Sequence, residues 1–300
     1  MSWHLYHNPQ LTLEFKWSFH DNPFTFELDT ATGSPFVQTS KRSIDMLGQI
    51  MAYAAAQLGS QFWTHLFSIL IMKNTARIIW WDHSGAIITE TIHYNHDNLL
   101  VKFIHCYSAT SCEMCGIDKS VSMPTSKQAA CARSVLKLPD SEPLVKLEIK
   151  PANERQKQYY VVAALVATAY TPPGWATHGF MAYGIIKHKE VYLKDTWRLD
   201  LPEFTPEGET YKWLMEKNVS NIPQCLMWGD VLSMQYHTTQ TQSYVSAPWV
   251  STTDNNFLPH RHYCLVLGVI GRTLTSFKSY YEAVQGGCDA LIDNVSYSPL

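Results

Sequence analysis

The chain has 300 residues with a formal net charge of −3, and 46% of them are hydrophobic, 13% aromatic and 16% charged. Such a composition is typical of a globular protein, and it argues against a nucleic-acid binder, which normally presents a strongly basic face. The N-terminus lacks the apolar core of a signal peptide. The most apolar stretches, 44–58 and 66–72, are shorter than the ~20 residues that cross a bilayer. We therefore expect an intracellular protein that binds neither membranes nor nucleic acid.

Residues 1–140 predict a mixture of strands and helices. Apolar residues recurring at helical spacing predict helices at 44–58, 98–107 and 127–138. Alternating or β-branched apolar runs predict strands at 11–17, 24–28, 63–72, 76–81 and 86–92. Asp82-His-Ser-Gly85 has the composition of a turn between two of these strands.

The seven cysteines have irregular spacings, which do not indicate a disulfide framework. Cys112 and Cys115 have the two-residue gap of a zinc knuckle, and Cys106 and His105 lie nearby. The sequence has no second pair at a matching spacing. Reduced cysteines in a loop are the simpler expectation, and we predict no metal site; a small zinc-binding module here is the least favoured alternative.

A boundary is predicted at 138–143, where two prolines and small polar residues interrupt both helix and strand. We therefore divide the chain into residues 1–140 and 141–300. The second part predicts strands at 144–149, 159–169, 180–187, 190–194 and 262–270. Helices are expected at 206–217 and from residue 277 towards residue 292.

This succession is the element order of a protein-kinase N-lobe: strand, small-residue loop, strand, strand with a lysine, and helix with a glutamate. Lys194 lies among apolar residues on a predicted strand, and Glu207 follows thirteen residues later at the start of the next helix. In kinases a strand lysine binds the nucleotide phosphates and a helix glutamate holds that lysine in place. Glu209 is an alternative partner on another side of the helix.

The candidate phosphate loop is Gly174-Trp-Ala-Thr-His-Gly179, because glycines let backbone N–H groups approach phosphates closely. Each feature also has a plainer explanation. A strand lysine is usually a solvated edge residue, and a glutamate in a first helical turn is favoured by the helix dipole. The ordered set is more informative than any of its members.

Several motifs in the sequence resemble those of the fungal-type protein kinase family. The matching stretches are Trp81-Asp-His-Ser-Gly-Ala-Ile-Ile88, Leu193-Lys-Asp-Thr-Trp-Arg198 (K-D-x-W-R), Pro206-Glu-Gly-Glu-Thr-Tyr211 (E-G-E-x-Y), His262-Tyr-Cys-Leu-Val-Leu267, Gly271-Arg-Thr-Leu-Thr-Ser-Phe277 and Asp289-Ala-Leu291. The resemblance extends roughly from residue 12 to residue 292.

This resemblance implies an α+β fold, in which an N-terminal α/β extension precedes a kinase-like N-lobe made of an antiparallel sheet and a C-helix. It also implies ATP with Mg²⁺ as ligands. Lys194 would contact the ATP phosphates, Glu207 would pair with Lys194, and Gly174 and Gly179 would belong to the phosphate loop. The backbone from Leu267 to Ile270 would line the adenine pocket.

The sequence departs from the family pattern in two places. The family loop reads G-R-x-T-R-G, whereas this chain has Trp175 and His178 in place of the two arginines, which should weaken phosphate binding. H-R-D and D-F-G, whose aspartates position the substrate hydroxyl and hold Mg²⁺, do not occur. We therefore expect no C-lobe, assign no catalytic residue and predict that the chain is inactive as written.

Two functions follow from these observations. The first is a truncated or degenerate protein kinase whose ancestral reaction was ATP-dependent phosphorylation of Ser or Thr. The second is a non-catalytic interaction scaffold, a pseudokinase fragment whose exposed surface towards the missing C-lobe binds a protein partner. Retained nucleotide binding would favour the first.

Overall fold

The computed structural model describes residues 11–25, 36–60, 62–150, 156–163, 176–231, 237–250, 257–271 and 277–295, with the backbone alone for 60 and 289–295. These residues form a mixed α+β fold, as predicted, and they contain two sheets. Among the described helices, none combines the length and the apolarity needed to cross a membrane.

The first sheet has four strands in the order β1-β2-β3-β4, and β1 is parallel to β2. Its strands are β1 Thr12–Phe15, β2 Leu66–Ile71, β3 Ala76–Asp82 and β4 Gly85–Ile88. Helix α1, Lys41–Ser60, covers one face because Met46, Ile50, Ala54 and Leu58 recur at helical spacing and are buried. Helix α2, Leu99–Ala109, packs beside β2 and β3 through a second apolar cluster.

The predicted turn between β3 and β4 is present. Asp82 pairs with Gly85 across the hairpin, and its Oδ1 accepts hydrogen bonds from the N–H groups of Ser84 (2.8 Å) and Gly85 (3.2 Å). The strand predicted at 86–92 ends earlier, at Ile88. The ladder stops because the Thr89 hydroxyl accepts the N–H of Ile78 in place of a backbone carbonyl.

The second sheet has seven antiparallel strands in the order β10-β11-β9-β8-β7-β6-β5. The strands are β5 Val121–Ser122, β6 Val145–Ile149, β7 Gln158–Val162, β8 His178–Gly184, β9 Lys189–Leu199, β10 Cys225–Asp230 and β11 His260–Leu267. The helices of this part are α3 Ser126–Leu136, α4 Glu207–Glu216 and α5 Tyr280–Val295. Because β9 lies between β8 and β11, the lysine-bearing strand is central in the sheet.

The sequence did not predict strand β10 or the two-residue strand β5. Strand β10 is the longer of the two. Its residues alternate between buried and half-buried, which is a strand pattern, but Gly229 and Asp230 depress strand propensity at its end. Strand β9 is longer than predicted and continues to Leu199, since it pairs with β11 along its whole second half.

The change from one sheet to the other comes before the predicted boundary at residue 140. Strand β5 pairs with β6, and helix α3 packs on β7 and β8 through Ala132 and Leu136, which contact Val161 and Tyr183. The N-terminal part therefore contributes directly to the second sheet. The division into two domains at residue 140 stays a prediction.

Candidate functional site

The ammonium of Lys194 is held by the carboxylate of Glu207. Strand alternation buries Leu193 and Asp195 on one face of β9 and leaves Lys194 half-buried on the other. Its Nζ lies 2.6 Å from Oε2 of Glu207, the first residue of α4, with the two side chains 24% and 37% exposed. Glu209 instead lies 3.9 Å from Lys212 on the same helix. The structure thus brings the predicted pair together, while its role in ATP binding stays a prediction.

Helix α4 can approach the sheet closely because its second residue is Gly208. A Cβ at this position would lie 2.0 Å from Cγ of Trp228 on β10. The N–H of Gly208, one of the N-terminal helix donors that lack a helical acceptor, donates to the hydroxyl of buried Tyr263 at 2.8 Å. These contacts fix the start of α4 and with it the carboxylate of Glu207. Sequence reasoning identified the E-G-E motif but not the role of its glycine.

The candidate phosphate loop is only partly described. Gly174 and Trp175 lie outside the described residues. Prediction of a loop as far as residue 179 was wrong, because β8 begins at His178 and Gly179 pairs with Lys194. A Cβ on Gly179 would lie 2.3 Å from the hydroxyl of Tyr192, so close packing within the sheet explains the need for glycine here.

The side chain of His178 points into the protein. It is 8% exposed, and its Nδ1 lies 3.9 Å from Oδ2 of Asp195. It therefore occupies the buried face of the sheet, opposite to Lys194, which the sequence did not reveal.

The candidate adenine segment follows the strand next to Lys194. Leu267 is the last residue of β11, is 8% exposed and packs with Cys225 and Tyr263. Ile270 follows the strand and is half-buried. Both residues stay predictions as part of an adenine pocket.

The remaining residues of K-D-T-W-R make structural contacts on both faces of β9. Arg198 forms a bidentate ion pair with Asp230, with Nε–Oδ1 and Nη2–Oδ2 distances of 2.9 Å. Trp197 is buried between two imidazoles, with ring centroids 4.2 Å from His83 and 5.1 Å from His262. The motif thus joins β9 to β10, to β11 and to the N-terminal part.

A buried cluster of histidines and aspartates lies behind Trp197. Nε2 of His262 makes a short hydrogen bond with Asp195, and Nε2 of His237 lies 3.1 Å from Oδ1 of Asp118. Burial opposes charge on His262, but Asp195 and then Asp118 outweigh it and raise its pKa to about 9. Burial likewise opposes charge on Asp195, but the charge of His262 and the nearby imidazole of His178 hold its pKa well below the usual range.

The hairpin of the first sheet is fastened to the segment that precedes β11. Oδ2 of Asp82 accepts the backbone N–H groups of Gln240 (2.7 Å) and Thr241 (2.9 Å). The Ser84 hydroxyl donates to the carbonyl of Leu258 at 2.6 Å. The W-D-H-S-G motif of the N-terminal part therefore supports the strand that leads to Leu267.

Two other regions do not join the candidate site. Cys106 and Cys112 are exposed and Cys115 is buried, and no described group of three clustered metal-ligating side chains includes any of them. An apolar cavity of about 230 Å³ lies between β4 and the described residues 241–250 and 257, and neither Lys194 nor Glu207 lines it.

A comparison with known protein families identifies the same family as the sequence motifs. A family model described as fungal protein kinase matches residues 36–295, which include strands β2 to β11, the Lys194–Glu207 pair and helix α5. No curated protein and no solved structure matches the chain. The family match covers well over half of the sequence, and the chain therefore belongs to the fungal protein kinase family.

Proposed function

We propose that the chain binds ATP on the face of the second sheet that carries Lys194. The observation that supports this most directly is the 2.6 Å contact between Nζ of Lys194 and Oε2 of Glu207. An ammonium held by one carboxylate, and still 24% exposed, can interact with the phosphates of a nucleotide. The backbone from Leu267 to Ile270 would line the adenine side of the same site.

The residues present fit the phosphates of ATP better than they fit Mg²⁺. The 300 residues contain neither the H-R-D nor the D-F-G motif that supplies the catalytic and metal-binding aspartates of kinases. ATP would provide the phosphoryl group in the reaction ancestral to the family, the phosphorylation of Ser or Thr. These residues alone would bind the nucleotide without transferring phosphate at a useful rate.

An intracellular location agrees with the state of the cysteines. All seven are free thiols, which is usual in a reducing compartment.

A thermal-shift titration with ATP, with and without Mg²⁺, tests the binding proposal. Any ligand that binds only the folded state raises Tm, by about 5 °C for a chain of this size at a hundredfold excess over Kd. Lys194→Met and Glu207→Gln should abolish the shift. Lys189→Met, an exposed lysine on the same strand, is the matched control and should retain it. No shift in the unmodified chain, or an equal shift in Lys194→Met, would overturn the proposal.

A non-catalytic scaffold is the second candidate function, and helix α5 favours it. Tyr280, Tyr281 and Val284 are 83%, 77% and 64% exposed. Adjacent exposed aromatic and aliphatic side chains are typical of a surface that another protein or domain covers. We propose this helix as the docking surface for a protein partner. A stable stoichiometric complex, lost in Tyr280→Ser with Tyr281→Ser and formed by a chain that shows no response to ATP, would favour the scaffold over the nucleotide-binding protein.

A further inference from the structure

Three buried side chains that can bind a metal meet on the face of the second sheet opposite to Lys194. Asp118 precedes β5, His237 lies between β10 and β11, and His262 belongs to β11. They are 4%, 4% and 5% exposed, and one ligand atom from each lies within 4.8 Å of the others. Residues far apart in the sequence have thus placed two imidazoles and one carboxylate together in a buried site.

In each of the two histidines, the ring nitrogen that does not face Asp118 already donates a hydrogen bond. Nδ1 of His237 lies 2.9 Å from the carbonyl oxygen of Val231, which can only accept, so this nitrogen carries the hydrogen. Nε2 of His262 contacts the carboxylate of Asp195, which lacks an acidic hydrogen when ionised. In the neutral tautomers, the lone pairs therefore belong to Nε2 of His237 and to Nδ1 of His262.

Both lone pairs face the carboxylate of Asp118. Nε2 of His237 lies 3.1 Å from its Oδ1, and Nδ1 of His262 lies 3.6 Å from its Oδ2. Nδ1 of His262 has no hydrogen-bond partner among the described residues. Acceptors that face one another in a buried site need positive charge between them, which either protons on both imidazoles or one divalent cation can provide. A divalent cation would also balance the two carboxylates of Asp118 and Asp195.

We propose that Asp118, His237 and His262 bind one divalent transition-metal ion, with Zn²⁺ the best match. Two ligand atoms at the usual zinc distances are separated by about 3.4 Å around a tetrahedral ion, close to the observed 3.1 and 3.6 Å. A set of imidazoles and a carboxylate favours Zn²⁺ over Mg²⁺ or Ca²⁺, which prefer oxygen ligands alone.

The surroundings of the two histidines match those of metal ligands. A metal-binding histidine usually donates its second N–H to a carboxylate or to a backbone carbonyl, which fixes the ring and its tautomer. Asp195 does this for His262, and the Val231 carbonyl does it for His237. Asp195 itself is a support and not a ligand, because it contacts Nε2 of His262 and not Nδ1, the nitrogen that faces Asp118.

The ion would act as a structural cross-link. It would tie the start of β5 and the segment after β10 to β11, the strand whose end leads to the candidate adenine segment. Because it lies on the face opposite to Lys194, its loss should not remove the response of the Lys194 site to ATP in molecules that remain folded. The metal site is therefore independent of the proposed nucleotide site.

Metal analysis of the purified full chain, after incubation with Zn²⁺ and gel filtration, tests the proposal. We expect about one Zn²⁺ per chain and a rise in Tm of about 5 °C, reversed by a chelator. Asp118→Asn and His237→Gln should lose both. Cys106→Ser with Cys112→Ser removes two exposed thiols of the alternative knuckle and should retain both. A chain that binds no Zn²⁺, or retention by His237→Gln, would overturn the proposal and leave protonated histidines as the balancing charges.

Cobalt substitution of the unmodified chain keeps the test decisive if a variant does not fold. Co²⁺ bound by imidazole and carboxylate should show weak visible bands without the intense near-ultraviolet bands of thiolate coordination. Thiolate bands would contradict the proposed ligand set and point to Cys264 or to the cysteines of the alternative knuckle.

Discussion

The two faces of strand β9 differ in how far their charged groups are exposed to water. On one face, Lys194 and Arg198 form ion pairs with Glu207 and Asp230 that remain partly exposed. On the other, Asp195 is 5% exposed and reaches only buried partners. A partly solvated pair contributes little to stability and stays available to a ligand, whereas a buried carboxylate must keep its partners or destabilise the fold. The same strand therefore serves binding on one face and folding on the other.

The largest effect should come from the buried face. Asp195→Ala leaves His262 without its carboxylate in a site that excludes water, and we expect a loss of about 3–5 kcal/mol in the free energy of unfolding. Asp200→Ala, which removes a half-buried partner of Arg261, is the control and should cost about 1 kcal/mol or less. Urea unfolding measures both. Equal losses in the two variants would remove the distinction between the faces.

His65 is buried directly before strand β2 of the first sheet, and it should make the stability of the fold depend on pH. Burial lowers the pKa of His65 to about 4, so the unfolded chain takes up its proton first as the pH falls. This contribution to stability is complete above pH 6.5 and declines between pH 6.5 and 4, by about 3 kcal/mol. Urea unfolding across this range should show a smaller decline for His65→Gln. Equal slopes for the two proteins would contradict the prediction.

Substitution of Gly208 tests whether the packing of helix α4 affects both the stability of the fold and the site around Lys194. Gly208→Ala introduces a Cβ that overlaps Trp228, and we expect a loss of about 1–3 kcal/mol together with a weaker thermal shift from ATP, because the start of α4 moves. Gly48→Ala is a matched control inside α1, where a Cβ meets nothing within 4 Å, and it should be neutral or stabilising. An unchanged stability for Gly208→Ala would show that α4 can shift without cost.

The smallest change in stability is expected at the ion pair itself. Lys194→Met should alter the free energy of unfolding by about 1 kcal/mol or less, because both partners remain in contact with water. The same variant should lose the response to ATP. Chemical unfolding and the thermal-shift titration on one protein preparation separate the two properties. A large loss of stability would assign this pair to the fold and not to a ligand.

Much of the local structure could be predicted from the sequence. Helical spacing of apolar residues gave α1 and α3, and the lysine strand and the glutamate helix were recognised from their order along the chain. These signals are local, since each depends on a few neighbouring residues. Strand β10 was missed because its end has weak strand propensity and its alternation shows only once β11 is beside it.

The sequence by itself determined the family and the likeness of Lys194 and Glu207 to a kinase pair, because motif residues and their spacing are visible along one chain. Only the tertiary structure decided that His178 faces inwards, that Gly208 makes room for Trp228, and that Asp118, His237 and His262 meet. Their partners come from distant parts of the chain, and sheet pairing and burial set contacts that no local pattern encodes.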